Sequence, residues 1–208
     1  MRKKYEILLV DGKTNAFVKA NIIEGVMRDA LKRTDEIWKS FLDDHLLRSG
    51  TPRSQWPQHH HWNWQKKHEG TERLLAYRMF GVESESEMQG LMLLLLIGKC
   101  CRIESQEYEP LVYIDFLAAA PWNISSIVEA PRYRSVGSIL VGTAIQVSQN
   151  EGFKGRIGLH SLPQAESWYR DSCNMTDLGI DPSYQNLRYF EMTHLQAQEF
   201  LEVKRGKK

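Results

Sequence analysis

Residues 111–121 read LVYIDFLAAAP, and residues 131–148 read PRYRSVGSILVGTAIQVS. The first stretch is an apolar, β-branched and aromatic run closed by Pro121, the pattern of a buried strand. The second places the small residues Ser135, Gly137 and Ser138 just after Arg132 and Arg134. It then continues as an amphipathic helix over about 136–150, with Leu140, Ala144 and Val147 on one face and Gly152 as its stop. A helix N-terminus exposes unpaired backbone N–H groups and the positive end of the dipole, so it binds phosphate. Small residues let that backbone come close to the anion. Strand, connector, small-residue loop and helix therefore mark Arg132–Ser138 as a candidate pyrophosphate loop, although such a loop taken alone is more often an ordinary turn.

Outward from this stretch the chain alternates. Tyr5–Val10 reads as a short strand closed by Asp11-Gly12. Between Ala16 and Leu47 the apolar residues Ile23, Val26, Met27, Ala30, Leu31, Trp38, Phe41 and Leu42 recur at helical spacing. They predict a helix interrupted near Arg33-Thr34-Asp35, where Thr34 or Asp35 caps a second one. Residues 52–70 hold Trp56, Trp62, Trp64 and four histidines without a period, and read as an irregular loop with short helical pieces. Strands follow at Arg73–Val82 and Gly90–Ile97. The second half continues with a strand at Gly155–His160 and a helix from Pro163 to Cys173, opened by Ser161 and Gln164 in a capping-box spacing. A strand at Leu187–Thr193 and a helix at His194–Phe200 complete the order. The fold class expected is α/β (α+β): a mixed sheet flanked by helices, with an N-terminal helical region, all in one domain over residues 1–208.

Lys+Arg number 27 against Asp+Glu 26, so the net charge of +1 gives no basic field for nucleic acid. The one basic run, Lys204-Arg205-Gly206-Lys207-Lys208, reads as a solvated tail. Three cysteines, 100, 101 and 173, offer neither a disulfide scaffold nor a CxxC site. The Ile7–Val10 run is too short for a signal-peptide core, and Leu91–Ile97 is far too short to span a bilayer. The expectation is a cytoplasmic protein without a membrane partner. Its apolar strands permit a homodimer without specifying one.

Together the two opening stretches resemble the GNAT superfamily of N-acetyltransferases. The family's CoA-binding segment runs Arg/Gln-x-x-Gly-x-Gly/Ala, and Arg132, Ser135 and Gly137 stand at its first three fixed positions, with Ser in place of the first Gly. Phe116–Pro121 resembles the family's fourth strand, whose backbone bonds the pantetheine arm. Ala165-Glu-Ser-Trp168-Tyr169 through Asn174-Met175 resembles the family's Ala-x-x-Phe-Tyr-x-x-x-Gly-Phe segment, with Trp168 for Phe and Asn174-Met175 for Gly-Phe. The Asn often found just before this helix is Leu162 here. The resemblance covers roughly residues 73–193 and implies a mostly antiparallel central sheet and acetyl-CoA as acyl donor. It implies cofactor contacts from Leu117, Ala118, Ala119, Arg132, Tyr133, Arg134, Ser135, Val136, Gly137 and Ser138. It also implies Tyr169 as the general acid that protonates the departing thiolate.

Amine acetylation further needs the attacking nitrogen neutral. Side chains alternate along a strand, so Tyr113, Asp115 and Leu117 share a face, and Asp115 is the candidate base, with Glu87 a weaker one. The His59-His60-His61 run cannot turn three neighbours onto one ion, so no metal is expected. Loop 52–70 is expected on the acceptor side, its tryptophans either walling the acceptor pocket or covering the core edge. Three functions stay open: an N-acetyltransferase of a small-molecule or peptide amine, a CoA-binding module without catalysis, and a toxin-type acetyltransferase of aminoacyl-tRNA.

Overall fold

The computed structural model describes residues 2–206, and side chains up to residue 203. Nine strands form one sheet: β1 (Lys3–Asp11), β2 (Phe17–Glu24), β3 (Tyr77–Ser84), β4 (Glu87–Leu95), β5 (Val112–Ala119), β6 (Tyr133–Arg134), β7 (Ile157–Ser161), β8 (Thr176–Asp181) and β9 (Leu187–Met192). Their order is β6-β1-β2-β3-β4-β5-β7-β9-β8. The pairs β1–β2, β1–β6, β2–β3, β7–β9 and β8–β9 are antiparallel, while β5 and β7 run parallel. The helices are α1 (Arg28–Arg48), α2 (Trp64–Glu69), α3 (Val136–Asn150) and α4 (His194–Gly206). This is the expected mixed, mostly antiparallel sheet with flanking helices. Among the described residues no helix is long and apolar enough to cross a membrane.

The first half departs from the expected helix. Residues 17–24 are a strand, because Asp11 builds a tight turn that folds them back along β1 in eight register pairs. One Asp11 carboxylate oxygen accepts from the Lys13 and Thr14 N–H groups and from the Thr14 hydroxyl, at 3.0, 2.7 and 2.8 Å. Gly25 at φ +75° then ends the strand in a conformation no helix continues through. Helix α1 is unbroken across Arg33–Asp35. Thr34 is buried and returns its hydroxyl to the Ala30 carbonyl at 2.7 Å, one turn back, so it caps nothing. Asp35 does cap a helix, but a distant one: its carboxylate accepts from the Trp64 and Gln65 N–H groups at 2.8 and 2.9 Å, in the first turn of α2.

Smaller corrections follow the same logic. Strand β3 starts at Tyr77, four residues later than its apolar pattern suggests, and β4 starts at Glu87, three residues earlier. Ser161 belongs to β7 and its hydroxyl bonds the Leu162 carbonyl, so no capping box forms, although Pro163 does open the helical turn. Strands β6 and β8 have no counterpart in the sequence reading. The backbone of α4 runs on to Gly206; the basic side chains of the tail lie outside the described residues.

The residues group into two compact units. One runs up to Leu93 and adds Leu117–Leu140; the other comprises Leu94–Phe116 and the chain from Val141 on. In the first, Leu9, Ile23, Leu31, Val82, Leu91 and Met92 are fully buried. In the second, Leu111, Val112, Ile145, Ile157, Phe190 and Met192 are. At about 25 cal/mol per Å² of apolar surface, such burial is the main favourable contribution to each.

Candidate active site

In the first unit the candidate loop is fixed from three sides. From the N-terminal hairpin, β6 pairs Tyr133 with Asp11 and Arg134 with Val10. The Gly12 N–H donates to the Arg132 carbonyl at 2.9 Å, and the Gly12 carbonyl accepts from Arg134 Nη2 at 3.0 Å. From the connector, the Trp122 carbonyl accepts from the Arg132 N–H, and Asn123 Oδ1 from the Tyr133 N–H, both at 2.9 Å. Gln89, fully buried on β4, anchors that connector: its side-chain oxygen accepts from Trp122 Nε1 at 2.8 Å and from Asn123 Nδ2 at 3.1 Å.

The third side is steric. A Cβ at Gly90 would lie 2.6 Å from Val136 Cγ1, 3.0 Å from Leu140 Cδ1 and 3.4 Å from the Ala118 carbonyl oxygen. Glycine there lets the first turn of α3 sit down on the strands beside Ala118. The first helical bond runs from the Ile139 N–H to the Ser135 carbonyl at 2.9 Å. By helix geometry, the N–H groups of Val136, Gly137 and Ser138 therefore have no partner within the helix. No acidic residue stands in that first turn, Gly137 and Ser138 are half-buried, and Ser135 is exposed. These groups fit an anion such as a pyrophosphate.

Two features were not legible in the motif. Ser135 holds φ +69°, a left-handed conformation natural to glycine and strained for serine. Arg132 is engaged by two carboxylates of the β3–β4 turn: Nη1 donates to Glu87 Oε2 at 2.8 Å, and Nη2 pairs with Glu85. Partial burial opposes its charge, but Glu87 and Glu85 outweigh that and raise the guanidinium pKa. Beside this turn lies a cleft lined by Thr34, Ile37 and Trp38 of α1, by Glu87 and Met88, and by Trp122. Its tryptophans are thus not those of loop 52–70. Trp64 is buried behind Trp38 with ring centroids 6.5 Å apart, Trp62 lies against Trp64, and Trp56 against His60.

In the second unit, the β5–β7 ladder covers Val112–Ile114 and stops there, while β5 itself runs on to Ala119. Asp115, the candidate base, is the next residue of β5 and is half-buried. Tyr113 is buried on the same face and its hydroxyl meets His160 Nδ1 at 2.7 Å. His160 Nε2 lies 3.0 Å from Asp181 Oδ2, which Arg102 Nη1 also reaches at 2.7 Å. Hydrogen bonds from the Ser183 hydroxyl, Arg102 and His160 hold the Asp181 carboxyl well below the usual range, so it accepts and Nε2 carries the proton. Nδ1 of the neutral ring then accepts from Tyr113.

Tyr169, the candidate acid, lies in a single π-helical turn over Trp168–Ser172 and is buried. Its ring contacts Trp168 and Phe190 at centroid distances of 4.9 and 6.0 Å. Burial, reinforced by the nearby Cys173, pushes the phenol well above its ordinary pKa, so it keeps its proton through the neutral range. Among the described residues no group of three or more His, Cys, Asp or Glu could hold a metal ion. The histidine run packs instead: His60 Nδ1 bonds the Pro57 carbonyl at 2.9 Å and His59 lies against Trp62.

No protein-family model matches the chain, and no curated protein matches it. Solved structures do. The GNAT domain of S. lividans PAT aligns with a TM-score of 0.56 over 91% of this chain and 96% of its own, at 11% identity. Aminoglycoside acetyltransferase AAC(6')-Ib, in complex with coenzyme A and kanamycin, aligns with a TM-score of 0.53 over 86% of this chain and 98% of its own, at 14% identity. The chain has the GNAT acetyltransferase fold.

Proposed function

We propose that this chain is an N-acetyltransferase that moves an acetyl group from acetyl-CoA to a primary amine of a small molecule or peptide, with residues 1–208 acting as one acyltransferase domain. The observation that carries the reading is the α3 N-terminus, with its unclaimed helical N–H groups behind a loop pinned on three sides. The shared fold supports it, because one structure with that fold is an aminoglycoside acetyltransferase in complex with coenzyme A and kanamycin.

In this reading Arg132–Ser138 and the first turn of α3 hold the pyrophosphate, and the backbone of Leu117–Ala119 hydrogen-bonds the pantetheine arm. Bound acetyl-CoA supplies an acyl thioester. The amine nitrogen bonds to its carbonyl carbon, the C–S bond breaks, and two protons must move. Asp115 takes one from the nitrogen, and Tyr169 gives one to the departing sulfur. Tyr169 holds its proton at neutral pH, the state a donor needs, although burial also makes it a weaker acid than a free tyrosine.

A second reading, a CoA-binding module without turnover, draws on the strained Ser135 and on the carboxylates that engage Arg132. One experiment separates the two. Titration calorimetry with acetyl-CoA, beside a Gly137→Trp control, is expected to show micromolar binding that the control abolishes. An amine screen with free-thiol readout then reports turnover. No binding by the intact protein would sink the proposal, and binding without thiol release from any amine would leave the module reading.

A further inference from the structure

Arg132 carries one positive charge and faces two negative ones, from Glu85 and Glu87. Under the function proposed above, the same guanidinium also meets a pyrophosphate. The carboxylates and the phosphates are then rivals, and the site holds a surplus of negative charge that a further cation would balance.

The place for that cation is the cleft beside the turn. Glu87 lines it together with Trp38, Ile37, Met88 and Trp122. Both indole N–H groups are already used, Trp38 Nε1 on the Met88 carbonyl at 3.1 Å and Trp122 Nε1 on Gln89 at 2.8 Å. The tryptophans therefore offer the cleft ring surface alone, beside a thioether and a branched alkyl chain. Glu83, also in the lining, is matched by Lys4 at 3.1 Å and Arg2 at 3.5 Å, and Arg33 stands on the α1 side. Glu87 is the lining carboxylate whose cation, Arg132, has a second claimant. An ammonium group on an apolar chain suits this arrangement: the chain against the rings, the charge on Glu87.

We propose that Glu87 is the anchor for a second, non-reacting ammonium of the acceptor, and that its ion pair with Arg132 couples acceptor binding to cofactor binding. This rests on the acetyl-CoA reading and adds the acceptor class: an amine that carries a second ammonium group on an aliphatic or aromatic chain. An ammonium on Glu87 relieves Arg132 for the pyrophosphate, and the pyrophosphate relieves Glu87 for the ammonium. By linkage each ligand tightens the other by the same factor.

The test uses CoA and 2-phenylethylamine as probes, with calorimetry on the wild type, Glu85→Gln, Glu87→Gln and the double variant, each checked for folding by thermal melting. Saturating CoA is expected to tighten the amine at least about fivefold in the wild type, the low end of ordinary coupling. Glu87→Gln should bind CoA more tightly and lose the coupling. Glu85→Gln, which leaves the cleft intact, should bind CoA more tightly and keep it. If the wild type binds CoA but neither variant alters its affinity, or if the amine is indifferent to CoA, the proposal is overturned and the acetyl-CoA reading survives. If the wild type does not bind CoA, both fall.

Discussion

A Cβ at position 12 would lie 1.7 Å from the carbonyl oxygen of Pro131. The two residues are distant in sequence, yet that contact seats the candidate loop on the N-terminal hairpin. Because the obstacle is backbone, no rotamer relieves it. Gly12→Ala is expected to cost about 1–3 kcal/mol, the usual range for overpacking, measured by chemical denaturation. It should also weaken CoA binding at least tenfold, since the Arg132 and Arg134 contacts with Gly12 shift together. Unchanged CoA affinity would mean that the hairpin does not set the loop.

Gly90 plays the matching role beneath α3. Gly90→Ala pushes on Val136 Cγ1 and should destabilise by about 1–3 kcal/mol while weakening CoA binding. Adding Val136→Ala removes the clashing methyl. The double variant is expected to recover CoA affinity relative to Gly90→Ala alone; no recovery in a titration would rule out a steric cause.

Ser135 at φ +69° carries strain that glycine would not. Ser135→Gly should raise stability by about 1 kcal/mol, the left-handed penalty less the entropy glycine adds. Thermal melting checks it, and a lower melting temperature would show that the serine hydroxyl contributes more than its backbone costs.

Acid should destabilise the protein in the range where histidine titrates. Burial lowers His59 to about 4, assisted by His60 and His61. Burial likewise lowers His160, against the opposing pull of Asp181. Both are therefore neutral in the fold and bind protons more readily unfolded. The stability they contribute is complete above the unfolded value near 6.5 and is lost as pH falls toward the folded one. Each group gives a slope of at most about 1.4 kcal/mol per pH unit. Denaturation midpoints at pH 7 and pH 5 should differ, and less so in His59→Gln. Equal midpoints in the wild type would show that neither ring is held neutral.

Tyr169→Phe keeps the ring contacts with Trp168 and Phe190 and removes the proton. CoA affinity should stay within about twofold, whereas turnover falls at least tenfold, the lower side of general-acid contributions. Unchanged turnover would take Tyr169 out of the acid role.

Elements whose patterns are self-sufficient could be read from the residues. Helix α3 was legible to the residue at its N-terminus because apolar spacing, a small-residue entry and a terminal glycine all act within one segment. Strand β5 was legible because its apolar run is closed by Pro121, and β9 because its aromatic residues lie in a short segment between polar ones. The candidate loop belonged to the same class. Residues 17–24 did not: Ile23 falls on the helical stripe of Val26, Met27, Ala30 and Leu31, and only pairing within the sheet makes a strand of 17–24. Asp35 looked like a cap and is one, for a helix about thirty residues on. Tertiary structure alone decided that Gly12 abuts Pro131, that Gly90 admits Val136, and that Glu85 and Glu87 share Arg132. Helix spacing and turn chemistry act over a few residues. Steric fit and charge pairing act over a few ångströms, between residues that meet only once the chain has folded.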